Sequence, residues 1–256
     1  MPQFITDSLI AGILASFACG LGALPLVIRG IDLQKHTGIA YSAAGGLMFA
    51  ASVYNLILPG LTLSSTSIHL SGAVPVILGI LLGAGFLSQA DRYLSPERLE
   101  QESWKRFGNK VQLLIFIAMC VHSIPEGVAV GVGYASEAVY SNNLGNYIAL
   151  AIALHNIPEG LAVAVPMRAA GASINRCFWA AFLTSLPQPI AAVPAAYVSW
   201  LFQPIMPVLM GFAAGAMIFL VILELIPEAL HTSSPIKVAW AFTLGFCTMI
   251  LVQVLL

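Results

Sequence analysis

The sequence predicts an all-α integral membrane protein of eight transmembrane helices, on three observations. Of its 256 residues, 59% are hydrophobic and 8% are charged, against roughly 25% charged in a soluble domain. Apolar stretches reaching the about 20 residues that cross a bilayer recur along the whole chain. All ten Lys and Arg residues fall in alternate connections between those stretches.

The first span, near 5–28, has no Lys or Arg before it and carries Asp7. Another span follows it rather than a processed mature domain, so a helix is expected and not a signal peptide. Arg29 and Lys35 separate it from the second, near 38–61, which holds a run of small residues and Asn55. The third, near 72–93, closes on Arg92; Arg98, Lys105, Arg106 and Lys110 then precede the fourth, near 111–134. The fifth, near 145–167, is bounded by Arg168, and Arg176 opens the sixth, near 175–201, which contains Gln188. The seventh, near 205–230, contains Glu224 and is divided by Lys237 from the eighth, near 237–256.

By the positive-inside rule the basic connections are cytoplasmic, so both termini face outward. So little chain lies outside the spans that a single polytopic domain over 1–256 is expected. Its one sizeable cytoplasmic loop, about 94–110, mixes both signs of charge like a solvated linker. A net charge of −1 with no basic amphipathic run excludes nucleic acid and other polyanions as partners. Cys19, Cys120, Cys177 and Cys247 lie singly in apolar stretches and read as small hydrophobes.

Two self-similarities organise the chain. His122-Ser-Ile-Pro-Glu-Gly-Val-Ala-Val130 and His155-Asn-Ile-Pro-Glu-Gly-Leu-Ala-Val163 agree at seven of nine positions, on adjacent spans that must run antiparallel. Ala43-Ala-Gly-Gly-Leu-Met-Phe49 pairs less closely with Ala213-Ala-Gly-Ala-Met-Ile-Phe219, each followed by a proline, Pro59 or Pro227. The second pairing predicts an inverted repeat, spans 1–3 with 6–8, around a central pair, spans 4–5, as in many secondary transporters. Close contact between small residues produces the same pattern, so both readings stand.

Few ionisable residues lie deep in the apolar spans: His122, Glu126, His155, Glu159 and Glu224, with Glu228 and His231 nearer an end. Each midplane carboxylate costs roughly 2.5–3.5 kcal/mol on insertion scales, so something must offset it. In both motifs His and Glu are four residues apart and stack on one helix face. Antiparallel helices then bring two imidazoles and two carboxylates to one depth. That N/O set suits zinc, iron(II), manganese or cadmium, and two carboxylates balance one divalent charge.

Pro125 and Pro158 leave the carbonyls of Val121 and Leu154 without their usual donors. The freed carbonyls could serve coordination or the prolines could simply bend the helices. Asn156 could add an oxygen or a hydrogen bond beside the ligands; Ser123 could do the same or bond to backbone. Asn55, Gln188 and Glu224 could complete the shell, interhelical hydrogen bonding being the alternative. His36, His69 and His231 lie near span ends, where a histidine is unremarkable.

At these motifs the chain resembles the ZIP (Zrt/Irt-like protein) family of divalent-metal transporters, particularly its small bacterial zinc-uptake members. The resemblance covers nearly the whole chain and is most specific at His155-Asn-Ile-Pro-Glu159-Gly. It implies a metal centre, often binuclear, with His122, Glu126, His155 and Glu159 as principal ligands. Asn156 and Glu224 match positions of the second site and the pathway. Three departures stand out: Ser123 where many members have Asn, Gln188 where Glu is common, and Asn55-Leu56 where bacterial members often carry a Glu before Leu-Pro. A second metal site is therefore expected to be weak or absent. The 95–110 loop also lacks the family's frequent histidine cluster.

The resemblance implies import of a divalent cation, with the metal as transported substrate, no cofactor required, the cytoplasmic membrane as location and a homodimer as an open option. No phosphate-binding G-x-x-x-x-G-K-[ST] loop is present, in keeping with transport that uses no nucleotide. Metal is expected to enter from outside and leave past Glu224, Glu228 and His231. It should displace protons from its ligands, making uptake pH-dependent. Two rivals are an intramembrane metal-dependent hydrolase, for which H-E-x-x-H is missing, and a cation channel, which needs no nitrogen ligands.

Overall fold

In hydrocarbon a backbone must satisfy its own hydrogen bonds, which favours helices for a chain this apolar. The computed structural model describes residues 2–28, 37–63, 70–94, 110–140 and 143–255; among them there is helix and no strand. His36, His69, the basic residues Arg29, Lys35, Arg98, Lys105 and Arg106, and the expected loop at 95–109 lie outside the described residues.

Among the described residues, seven helices are long and apolar enough to cross a membrane: Gln3–Val27, Thr37–Thr62, Gly72–Tyr93, Phe116–Tyr140, Leu144–Ala169, Gln203–Thr232 and Pro235–Leu255. They coincide with seven of the expected spans. The sixth differs from expectation. It is two helices, Ile174–Thr184 and Pro187–Leu201, with Ser185 and Leu186 between them. Pro187 begins the second piece, where its missing N–H costs nothing. The carbonyls exposed by the break find hydroxyl donors on neighbouring spans. Ser123 Oγ donates to the Thr184 carbonyl at 3.1 Å and Ser16 Oγ to the Ser185 carbonyl at 2.8 Å.

The second and seventh spans share another irregularity. Each passes from α-helix into a π-helical turn, Ser52–Ile57 or Val221–Leu225, just before its proline. A proline ring collides with the carbonyl four residues back, and a widened turn is one way to relieve that collision. The fourth and fifth spans stay helical through Pro125 and Pro158.

Packing follows the inverted repeat. The fourth and fifth spans meet at the centre. The third packs on the seventh as the eighth packs on the second, and the fourth on Pro187–Leu201 as the fifth on the first. The seventh also touches the fourth as the second touches the fifth. Exchanging spans 1–3 with 6–8 and 4 with 5 therefore carries each of these contacts onto another.

Small residues make the contacts close. Gly79 and Gly83 of the third span lie against the backbone at Val208 and Phe212, while Gly211 and Gly215 of the seventh lie against Val76 and Ile80. These are interleaved G-x-x-x-G pairs, which let membrane helices approach through van der Waals contact where no hydrophobic force joins them. The third and eighth spans are the least buried and turn residues such as Leu78, Leu81, Trp240 and Leu244 outward, leaving the central pair enclosed.

Candidate metal centre

His122 and Glu126 are one turn apart on the fourth span; His155 and Glu159 are one turn apart on the fifth. Because the spans are antiparallel, the Glu of one motif lies level with the His of the other. His155 Nε2 is accordingly 3.4 Å from Glu126 Oε1. Glu126, His155 and Glu159 bring ligand atoms within 4.8 Å of one another, and all three are buried. Around a tetrahedral zinc with bonds of about 2.1 Å, donor atoms stand about 3.4 Å apart. The His155–Glu126 separation already has that spacing, and small side-chain shifts would draw in Glu159.

Glycine at the end of each motif lets its helix seat deeply. A Cβ on Gly160 would overlap the Cys19 carbonyl of the first span, and one on Gly127 would overlap the Gln188 carbonyl of the sixth. The two motifs are thus docked in equivalent ways by the two halves of the repeat.

A polar network surrounds the cluster. Gln188 Nε2 donates to Glu126 Oε2. Asn156 Nδ2 donates to Gln188 Oε1 at 3.1 Å, to the Ala15 carbonyl at 3.0 Å and to Ser185 Oγ at 3.3 Å. Asn156 therefore holds Gln188, and Gln188 orients Glu126. These links fix the first, fourth, fifth and sixth spans around one point. Ser123, one residue after His122, uses its hydroxyl on the backbone carbonyls of Met119 and Thr184.

Not every buried polar atom is matched. Among the described residues, Glu159 Oε1, Asn156 Oδ1 and the Nδ1 atoms of His122 and His155 have no hydrogen-bond partner. Leaving such atoms unmet costs about 1–3 kcal/mol each, more for charged groups. Two of the four are oxygen acceptors, Glu159 Oε1 within the cluster and Asn156 Oδ1 beside it, and the two carboxylates of the cluster would balance the charge of a divalent cation.

The remaining candidates are dispersed. His122 turns to the seventh span, where its Nε2 is 3.1 Å from Glu224 Oε1, with the Glu224 side chain 38% exposed. One turn on, Glu228 and His231 approach to 4.0 Å and are both exposed. Asn55 lies apart from the cluster, buried and, among the described residues, without a hydrogen-bond partner for either amide atom.

The bundle thus encloses a carboxylate–imidazole cluster, with a second His–Glu pair, His122 and Glu224, beside it. A family profile described as ZIP Zinc transporter matches residues 98–253. The chain is 33% identical over 245 residues to the zinc transporter GufA of Myxococcus xanthus, covering 93% of this chain and 95% of that protein. It is 32% identical over 248 residues to the zinc transporter ZIPB of Bordetella bronchiseptica, covering 94% of this chain and 79% of that one. It is also 41% identical over 155 residues to the human zinc transporter ZIP11, covering 59% of this chain and 44% of that one. The chain belongs to the ZIP family of metal transporters. It spans less than half of the human protein and 36% of an Arabidopsis thaliana relative, but nearly all of the myxobacterial one.

Proposed function

We propose that this protein is a secondary transporter importing divalent metal cations into the cytoplasm, with zinc as its main substrate and cadmium, iron(II) and manganese as lesser ones. The observation that carries this is the buried Glu126, His155 and Glu159 cluster on two antiparallel spans, with an unmatched oxygen within it, Glu159 Oε1, and another beside it, Asn156 Oδ1. Relatives along nearly the full chain are named zinc transporters, which favours zinc.

In this reading residues 1–256 act as one polytopic domain in the cytoplasmic membrane, alone or as a homodimer, with both termini outside. His155, Glu126 and Glu159 hold the metal, Gln188 and Asn156 position the carboxylates, and His122 passes the ion to Glu224. Glu228 and His231 line the way out.

Uptake into proteoliposomes, with zinc, cadmium, iron(II) and manganese compared at equal free concentration by elemental analysis, tests both the activity and the metal order. Saturable zinc accumulation ahead of the others is expected. Equal, non-saturating accumulation of all four would indicate a channel, and accumulation of none would remove the transport function.

A further inference from the structure

A groove opens between the first and fifth spans, at the end of the bundle where both begin and the fourth ends. It encloses about 580 Å³, within the range of about 300–1,000 Å³ that small-molecule sites occupy. Alanines form its floor: Ala11 and Ala15 on the first span, Ala149 and Ala153 on the fifth. Each pair is four residues apart and so lies on one helix face. Ile10, Leu14 and Leu150 stand beside them as walls, 49%, 61% and 37% exposed. Small side chains on the two facing stripes leave the depression, and their large neighbours bound it.

The mouth of the groove is polar. Asp7 of the first span and Glu137 of the fourth line it, together with Gln3, Tyr134 and Asn146. The Tyr134 hydroxyl donates to Asn146 Oδ1 at 3.1 Å, and Asn146 Nδ2 donates to Glu137 Oε1 at 3.3 Å and Oε2 at 3.5 Å. This chain of bonds fixes the Glu137 carboxylate at the mouth and engages both Tyr134 and Asn146. Gln3 is the other amide there. The first span and the chain joining the fourth to the fifth contain no Lys or Arg, so the lining spans bring two carboxylates to this end and no Lys or Arg.

We propose that the groove binds one phospholipid with a primary-ammonium headgroup, phosphatidylethanolamine in the simplest case. Its ammonium sits between Asp7 and Glu137, its phosphate takes the Gln3 amide, and one acyl chain lies along the alanine floor. The lengths agree. From Asp7 to Ala15 is about 12 Å of helix, close to the ~15 Å of hydrocarbon in one leaflet. Charge selects the headgroup: an ammonium donates charge-assisted hydrogen bonds to both carboxylates, whereas an anionic headgroup meets repulsion. A divalent cation would also satisfy two carboxylates, but it would leave the apolar length beneath them unused, and that length favours a lipid. This binding does not depend on transport.

Native mass spectrometry of the full chain in mild detergent measures the binding of dioleoyl phosphatidylethanolamine and dioleoyl phosphatidylglycerol. The wild type should hold one ethanolamine lipid about tenfold more tightly than the glycerol lipid, the factor for one hydrogen bond to a charged group. The Asp7→Asn, Glu137→Gln double variant should lose that preference, with phosphatidylglycerol binding no weaker than in the wild type. Ala149→Phe fills the floor and should weaken both lipids about tenfold. Phosphatidylethanolamine should also raise the Tm of the wild type and not that of the double variant, because a ligand that binds only the folded chain stabilises it.

Equal affinity of the wild type for the two lipids overturns the proposal. So does a preference that survives in the double variant, since another surface would then carry it. Manganese(II) added without lipid tests the ionic alternative: one bound ion fewer in the double variant, with phosphatidylethanolamine binding unchanged, makes the mouth a cation site and overturns the lipid. If the double variant does not fold, the wild type and Ala149→Phe decide. A preference weakened in the filled groove upholds the proposal, and one left intact overturns it.

Discussion

His155 of the fifth span and Glu126 of the fourth join the two halves of the repeat, with Nε2 and Oε1 3.4 Å apart. Neither residue's own motif supplies that contact. Each motif offers a His and a Glu on one helix face, and the antiparallel crossing pairs them between helices. Glu126→Gln or Glu159→Gln removes one of the two anions facing the ion. Each should weaken zinc binding to purified protein by more than about 100-fold, beyond the 10–100-fold typical of outer partners. Isothermal titration calorimetry checks this, and a loss below about tenfold would place the ion elsewhere.

Gln188 touches Glu126 and is itself held by Asn156. Gln188→Ala should reduce zinc uptake efficiency by about 10–100-fold, the range for groups that orient a ligand. Asn156→Ala should do the same and also destabilise the bundle by about 1–3 kcal/mol, because it removes the donor to the Ala15 carbonyl. Thermal melting in detergent separates the two variants.

His122 and Glu224 contact each other from different halves of the bundle. Their alanine variants should therefore be non-additive in transport, with a coupling of about 0.5–3 kcal/mol in a double-mutant cycle. Additive losses would mean that the ion does not pass between them.

Two glycines give opposite expectations. Gly160→Ala forces a methyl group onto the Cys19 carbonyl and should destabilise by about 1–3 kcal/mol, the usual cost of overpacking. Among the described residues, nothing lies within 4 Å of a Cβ added at Gly85. Gly85→Ala should be neutral or stabilising by up to about 1 kcal/mol, through helix propensity alone. Melting curves of the two proteins side by side check the packing.

Much of this was legible in the sequence because membrane physics leaves few alternatives. An apolar run of about 20 residues must be helical, and a His and Glu four apart in such a run must share a face. The duplicated motif therefore sets both His and Glu pairs at a common depth. The departures arise where local signals are weak or depend on distant partners. Thr184-Ser185-Leu186-Pro187 carries a helix stop and restart, but hydropathy reads through it. The break is held by Ser16 and Ser123 from other spans, which local sequence does not show.

The π-helical turns have only a following proline as a cue. The fourth and fifth spans have prolines too and remain α-helical. That His122 turns to Glu224, and that Asn55 is buried apart from the cluster, depends on contacts between distant spans, and spacing along the chain does not encode that.

The most direct test of the account is zinc accumulation in proteoliposomes by wild type and by the Glu126→Ala, Glu159→Ala double variant, both confirmed to be folded and inserted. Saturable accumulation by the wild type, abolished in the double variant, is the predicted result. Accumulation that survives loss of both carboxylates would contradict a transport pathway through this cluster.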